Sequence, residues 1–493
     1  MEQGVPFMKR GRPAERGRPC WSKPARCCRM QLPFNIEKHY QVKTSIRVSE
    51  LLDTPRLSWL QYLVFALCAT AVFADGYDTQ VVAYIAPTLS KAWHLAPGAM
   101  GPVFAVTLFG SALGSLFLAP LADRWGRKRI IVSSTAVIGL FTLACSFAPS
   151  LAVLEALRFC AGLGLGAALP NAVALISEYA PPRRRIALVS WMFCGYPIGS
   201  AFGALIATQL SPRYGWPSVF QFGGVTTLLL WPILQRYLPE SLTFLSLRDP
   251  VGPATQSLVR RLRPQEAAGV QYRLLADEQP VGDRRSLPML FSENRGPVTV
   301  LLGLLAFLTL IDLYVLNSWL PTLIHDMGLS LARASAATAA FQFGGIAGAM
   351  TLGWLGERLG IYYVVPVVYV FAAALIAGIA GQPSAQWLPL TTFGAGFMLI
   401  GAQTCNNGIV ATLYPTAARA TAIGVNLTIG RIGSILGPFL TGLLLAASFS
   451  AHAVLMLASL PALAAAAVMC LLKPAVARVH ASVAARPPLA GES

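Results

Sequence analysis

Twelve apolar stretches of about 20 residues punctuate the chain, and wound into a helix, a run of that length spans the hydrocarbon core of a bilayer. The pattern predicts membrane helices at 59–85, 98–120, 130–148, 151–177, 186–209 and 217–237, then at 297–321, 334–356, 361–381, 387–411, 420–443 and 450–472. Composition supports this: 55% of the 493 residues are hydrophobic and 12% are charged, which excludes an ordinary soluble domain. The expected fold is an all-α membrane protein of twelve transmembrane helices in two sets of six.

A net charge of +17 suggests nucleic acid until its distribution is read. Lys and Arg crowd the N-terminal arm, "DRWGRKR" at 123–129, "PPRRR" at 181–185, the segment 238–296 and the C-terminal tail. The alternate connections hold only Lys91, Arg213 and Arg333. This is the positive-inside pattern, and it places both termini and the central segment in the cytoplasm of a bacterial-type inner membrane. The expected divisions are a basic, disordered arm (1–57), a six-helix half (58–237), a central loop (238–296), a second half (297–473) and a tail (474–493).

The arm repeats Arg-Gly-Arg-Pro in "RGRPAERGRP", which resembles the core of a minor-groove hook. Ahead of twelve spans this motif carries no nucleic-acid role, and an upstream start codon before Met30 or a disordered arm accounts for it. The first apolar run comes too late for a cleavable signal peptide. Nine cysteines are scattered, and Cys20, Cys27 and Cys28 lack a partner pair at zinc spacing, so neither a metal nor a structural disulfide is expected.

Internal repetition defines the architecture. Asp78, Pro87, Thr88, Leu89 and Leu95 recur 234 positions later as Asp312, Pro321, Thr322, Leu323 and Leu329. The same offset carries Gly110, Gly114, Asp123, Arg124 and Gly126 onto Gly344, Gly348, Glu357, Arg358 and Gly360. An offset of 235 carries Asn171, Tyr179, Arg184 and Ala187 onto Asn406, Tyr414, Arg419 and Ala422. Two parallel six-helix pseudo-repeats joined by a cytoplasmic loop form the arrangement in which a substrate site lies between the halves near the midplane.

Within the first span, "FADGYDTQ" holds Asp75 and Asp78. One Asp at a helix centre costs roughly 2.5–3.5 kcal/mol in hydrocarbon, so two must face a polar interior or be paired. Three apart and flanking Gly76, they project from nearly one face. Asp75 lies roughly 15 Å and Arg158 roughly 12 Å below the periplasmic surface at 1.5 Å per residue. Glu155 stands one turn from Arg158 on the same face, so the first and fourth helices are expected to share three acids and one base. Asp312 and Arg431 sit at mid-depth in the second half, either as a simple bridge or as site residues. Arg158 and Arg431 are the two intramembrane cations able to fork onto a carboxylate.

"APLADRWGRKR" at 119–129 resembles the loop signature of the major facilitator superfamily, with Ala119 where Gly usually stands, and "LPES" at 238–241 resembles the end of its sixth helix. "DGYDTQ" at 75–80, "RFCAGLGLGAALPNAVALISEY" at 158–179 and "GRIGSILGP" at 430–438 resemble the aromatic acid:proton symporter family, over roughly Ile46 to Leu472. The resemblance implies the major facilitator fold and a monomeric secondary transporter in a lipid bilayer. It implies symport of protons with a small aromatic carboxylate such as a hydroxybenzoate by alternating access. No cofactor beyond the proton gradient is implied, and no enzyme activity; no array of nucleophile and base is visible either. Removing residues 2–29 is expected to leave this activity intact.

In the resemblance, Asp123, Arg124, Gly126, Arg127 and Lys128 form a cytoplasmic latch that stabilises one transport state. The alternative is that they only fix topology. The counterpart keeps Glu357 and Arg358 but ends "GIYY", so its latch is expected to be weaker. Asp75, Asp78, Glu155, Arg158, Asp312 and Arg431 are the candidates for proton coupling and substrate, with a static ion pair as the alternative. Tyr77, Asn171, Tyr314, Phe341 and Asn406 are candidates for the cavity wall or for packing. Glycine pairs four apart, Gly162/Gly166, Gly199/Gly203 and Gly433/Gly437, read as close helix contacts. His325 and His452 read as loop or interface residues. Two other functions fit the sequence: proton symport of a non-aromatic organic acid or sugar, and a non-transporting membrane receptor.

Overall fold

The computed structural model describes residues 44–52, 57–263, 272–275, 289–292, 295–381, 386–414 and 416–484. Twelve long helices fill them. The first six are α1 (Trp59–Ala92), α2 (Gly101–Trp125), α3 (Arg127–Cys145), α4 (Leu151–Tyr179), α5 (Ala187–Tyr214) and α6 (Pro217–Tyr237). The second six are α7 (Gly296–Asp326), α8 (Leu331–Leu359), α9 (Ile361–Ala380), α10 (Leu388–Leu413), α11 (Thr416–Ala446) and α12 (Ala451–Ala484). Helix α1 starts where Ser58 caps the Gln61 amide and Gln61 caps Ser58 in return, so two otherwise orphaned donors are satisfied.

Among the described residues, ten of the twelve are long and apolar enough to cross a membrane by composition. The two that fall short, α8 and α10, carry "QFGGIAGAM" and "GAQTCNNG", rich in glycine and amides. They pack on each other so closely that a Cβ on Gly344 would lie 2.0 Å from the Phe393 carbonyl oxygen, and one on Gly396 1.9 Å from that of Phe341. Small residues there exchange lipid-facing hydropathy for backbone contact.

The sequence repeat is also a packing repeat. Gly110 against Phe159 recurs as Gly344 against Phe393, Gly162 against Thr107 as Gly396 against Phe341, and Gly199 against Phe73 as Gly433 against Phe307. Both partners of every contact shift by 234 positions, so the two halves can be compared side chain by side chain.

One end of the bundle carries the basic connections. At the opposite end the halves share a single apolar core, which joins Val81, Tyr84 and Phe104 to Leu316, Trp319 and Phe341. Toward the basic end each half keeps its own core, one around Leu60, Leu175 and Leu234 and the other around Leu302, Val365 and Ile409. The bundle is therefore fused at the opposite end. A backbone contact tightens that seam: Gly98, at φ 83°, lies so near Gly442 that a Cβ on it would sit 1.9 Å from the Gly442 carbonyl oxygen.

A small structure covers the basic end of the first half. Strand β1 (Thr44–Arg47) pairs in parallel with β2 (Tyr272–Leu275), and helices Val48–Leu52 and Pro253–Leu262 flank the pair. Leu51, Leu258, Leu262 and Leu274 join the core that contains Leu60 and Leu238. Residues 44–52, expected within a disordered arm, are thus a packed element. The rest of the arm up to residue 43 lies outside the described residues.

Candidate functional site

The expected patch of Asp75 and Asp78 divides, because a separation of three residues still turns the two side chains to different neighbours. Asp78 faces into its own half. Arg158 Nη1 donates to Asp78 Oδ2 at 3.2 Å and to Oδ1 at 3.4 Å, Nη2 donates to Thr142 Oγ1 at 2.9 Å, and Nε donates to Cys145 Sγ at 3.1 Å. The Thr142 hydroxyl donates a hydrogen bond to Asp78 Oδ1, and the Phe220 ring lies 5.1 Å from the guanidinium carbon. All three nitrogens of Arg158 are engaged, and neither Asp78 nor Arg158 is more than 1% exposed. Arg158 is thus committed to the interior of the first half. Glu155, expected in the same network, is half-buried and makes no ion pair among the described residues.

Asp75 turns instead toward the seam between the halves. Thr79 Oγ1 donates to Asp75 Oδ1 at 3.2 Å, and Tyr196 of α5 and Tyr314 of α7 lie within electrostatic reach of the carboxylate. Arg431 of α11 lies within reach of both Asp75 and Tyr314. Its Nη1 donates to Ser111 Oγ of α2 at 3.2 Å. The bridge considered for Asp312 and Arg431 is absent: Arg431 reaches across to the other half, and both Asp312 oxygens are buried without a hydrogen-bond partner. A cation, a carboxylate and two phenols, drawn from α1, α5, α7 and α11, therefore lie in one electrostatic neighbourhood at mid-depth. Below Arg431, toward the basic end, a groove along α11 is lined by Thr421, Gly424, Val425, Thr428 and Ile429.

Above this cluster the halves are joined by neutral polar groups. Gln80 Nε2 donates to the Asn317 carbonyl at 3.1 Å, and Gln342 Nε2 donates to Asn317 Oδ1 at 3.1 Å and to Ser200 Oγ at 3.2 Å. At the outermost level Lys91 Nζ donates to His325 Nε2 at 2.8 Å. His325, read from sequence as a loop or interface residue, lies in the last turn of α7.

Several cavity candidates sit elsewhere. The Tyr77 hydroxyl donates to the Val219 carbonyl at 2.9 Å and its ring packs against Gly223, inside the first half. Asn171 Nδ2 donates to the Ala119 carbonyl at 3.3 Å and to that of Ala167 at 2.8 Å, tying α4 to α2. Phe341 is wholly buried in the shared core. Asn406 is wholly buried, with both amide atoms unpartnered. Tyr196 escaped the sequence reading; its only signal was position, one close helix crossing from Asp75, since a Cβ on Gly76 would meet the Tyr196 carbonyl oxygen at 2.1 Å.

At the basic end, the loop after α2 turns on Gly126, at φ 93°. Arg127 pairs with Glu178 at the end of α4, and Ser241 Oγ donates to the other Glu178 oxygen at 2.5 Å. Glu240 Oε1 accepts from the amides of Lys128 and Ser241 at 3.0 and 2.9 Å, which places a carboxylate at the start of α3 where the helix dipole favours it. Asp123 and Arg124 are exposed. The hub of this loop is thus Glu178 and Glu240, two acids outside the motif that drew attention to it. In the second half, Gly360 turns at φ 91° and Arg358 stacks on Trp354 at 4.2 Å; the side chain of Glu357 lies outside the described residues.

Two pseudo-equivalent halves that meet over a mid-membrane polar cluster, fused at one end only, define a polytopic membrane transporter. The Major Facilitator Superfamily profile matches residues 68–281 and 302–490, and the chain belongs to that superfamily. Among curated proteins it is 38% identical over 425 residues to the 4-hydroxybenzoate transporter PcaK of Pseudomonas aeruginosa, covering 86% of this chain and 95% of that one. It is 35% identical over 448 residues to the gallate transporter of Pseudomonas putida, covering 91% and 99% of the two chains. The benzoate transport protein of Acinetobacter baylyi is 31% identical over 410 residues, covering 81% and 87%. These relatives are named transporters, and the chain is a transporter and not an enzyme. Among solved structures, the Escherichia coli xylose transporter XylE in an inward-open conformation has a TM-score of 0.63 at 15% identity, covering 83% of this chain and 95% of that one. A bacterial homologue of the lysosomal transporter Spinster, inward-facing, has a TM-score of 0.59 at 19% identity, covering 86% and 97%. At these identities the likeness concerns the fold.

Proposed function

We propose that the protein imports an aromatic carboxylate together with protons across a bacterial inner membrane, by alternating access about the cluster of Asp75, Tyr196, Tyr314 and Arg431. The carrying observation is Arg431: a mid-membrane guanidinium at the seam, bound to a neutral hydroxyl and not to a carboxylate. It offers the planar fork that a carboxylate fits, and Tyr196 and Tyr314 supply aromatic walls for a ring. Relatives named for 4-hydroxybenzoate, gallate and benzoate support that substrate class.

Asp75 supplies the coupling in this reading. An anionic substrate on Arg431 would share one cation with an ionised Asp75, and like charges at close range repel strongly at low effective dielectric. Protonation of Asp75 removes the competitor. The substrate and the proton are then favoured together, and with the basic end as the cytoplasmic end both leave on that side. Uptake of labelled benzoate, 4-hydroxybenzoate, gallate, muconate and glucose into proteoliposomes with an imposed proton gradient tests the reading. Accumulation of the aromatic acids alone is the expected result; accumulation of glucose or muconate in preference to them would assign the protein to the non-aromatic alternative.

A further inference from the structure

The packing register permits a comparison of Asp78 with its repeat counterpart Asp312. The partners of Asp78 are Thr142 and Arg158, and Arg158 is held in turn by Cys145; the residues 234 positions on from Thr142, Cys145 and Arg158 are Ile376, Ile379 and Thr392. Ile376 and Ile379 are apolar and fully buried, and Thr392 gives its proton to the Leu388 carbonyl at 2.9 Å. The second half has kept the aspartate and replaced the groups that hold its charge.

Asp312 is 0% exposed and neither oxygen has a hydrogen-bond partner among the described residues. The hydroxyls in its neighbourhood are occupied. Thr309, one turn earlier, donates to the Leu305 carbonyl at 2.7 Å, so the 2.6 Å contact between Thr309 and Tyr369 of α9 is a donation by Tyr369. Tyr369 is within electrostatic reach of Asp312 and of Cys405 on α10. The cations on the helices around α7 are directed elsewhere: Arg431 to Ser111, Lys91 to His325, Arg358 to Trp354 and Lys473 to Tyr363. Arg333 and His452 lie at the outer end of the bundle, His452 on the Ala380 carbonyl. On α1, Asp78 is held by Arg158 and Asp75 faces the seam. A buried carboxylate with no cation and no donor is unstable by several kcal/mol as an ion.

We propose that Asp312 is a second proton-binding site of this transporter: it holds a proton in the conformation described here and exchanges it when α9 moves relative to α7. Tyr369, able to turn its hydroxyl from Thr309 to the carboxyl group, is the local donor that such a movement makes available. The symmetry then divides the labour. The first-half aspartate is fixed as an ion by arginine, and the second-half aspartate carries a removable proton. The exchange part of this claim rests on proton symport as proposed above.

The test uses reconstituted full-length protein and Asp312→Asn, which resembles the protonated carboxyl in shape. Infrared spectra of the wild type minus D312N at neutral pH are expected to show the carbonyl stretch of one protonated carboxyl group. The number of protons taken up per aromatic acid is expected to fall by one in D312N, with substrate exchange in the absence of a gradient kept within about twofold. No such infrared band, an unchanged proton count, or failure of D312N to fold would overturn the proposal, the last because it would mean the charge is needed. Wild-type substrate flux with no proton flux would instead defeat proton symport itself, and is a different result.

Discussion

Asp78 and Arg158 form a buried ion pair at 3.2 Å, on α1 and α4 of the first half, with 1% and 0% of their side chains exposed. Every nitrogen of the Arg158 guanidinium is engaged inside the first half, Thr142 and Cys145 taking the two that Asp78 does not. The consequence is structural. Asp78→Asn and Arg158→Met each strand one buried group, so each is expected to cost about 3–5 kcal/mol, while the double variant costs less than their sum. Thermal unfolding of the purified variants in detergent measures this. Unchanged midpoints for both single variants would show that the pair is not structural.

Asp75 behaves differently in this account because its neighbours lie across the seam. Asp75→Asn is expected to leave abundance and gradient-free exchange intact while strongly reducing accumulation driven by a proton gradient, since the proton that Asp75 carries no longer accompanies the substrate. Counterflow and proton-driven uptake in the same proteoliposome preparation separate the two. Normal accumulation by D75N would remove Asp75 from the coupling step.

Arg431 should discriminate between shape and charge. Replacement by Lys keeps the charge but loses the fork, and is expected to weaken substrate binding by about tenfold or more. Ser111→Ala removes only a neutral contact and is expected to change binding by less than about tenfold, a single hydrogen bond contributing about 0.5–1.5 kcal/mol. Isothermal titration with benzoate or 4-hydroxybenzoate gives both. Equal effects of the two variants would contradict the assignment of Arg431 as the carboxylate receptor.

Gly98 and Gly442 close the seam at the end away from the basic loops. A side chain at Gly442 cannot fit that contact, so Gly442→Leu is expected to favour opening on this side. Labelling of a cysteine introduced at Gln80 by an impermeant thiol reagent should then rise severalfold. No change in labelling would place the closure elsewhere.

Gly126 is the point on which the basic-end loop turns, and a Cβ there would lie 2.2 Å from Glu240 Oε2. Gly126→Ala is expected to destabilise the protein by about 1–2 kcal/mol through positive-φ strain, and more if Glu240 must leave the start of α3. Gly353→Ala, in open space, should be silent. Unfolding midpoints of the two variants compare them directly.

The helices were legible in sequence because hydrocarbon imposes a length on every span, and the 234-residue offset correctly implied equivalent packing. The destinations of side chains were less legible. Asp75 and Asp78 share a helix face but diverge because α4 supplies an arginine to one and α5 a tyrosine to the other, which spacing along α1 does not encode. Tyr77 was open between cavity wall and packing, and the glycine at 223 makes a place for its ring inside the half, which the sequence around Tyr77 does not encode. Glu178 and Glu240 stand within the motifs at 158–179 and 238–241 but are not singled out there, since their partners come from segments distant in sequence. The pairing of β1 with β2 joins residues more than 220 positions apart, beyond the reach of any local pattern.

The most direct measurement of the central claim is proton movement caused by substrate. Proteoliposomes containing the wild-type protein and a pH-sensitive dye in the lumen are given 4-hydroxybenzoate outside, with empty liposomes and Arg431→Lys protein as controls for passive entry of the acid. The account predicts lumenal acidification in the wild type beyond both controls, paired with accumulation of labelled substrate that a protonophore collapses. Substrate entry at the wild-type rate with acidification no greater than in empty liposomes would contradict it.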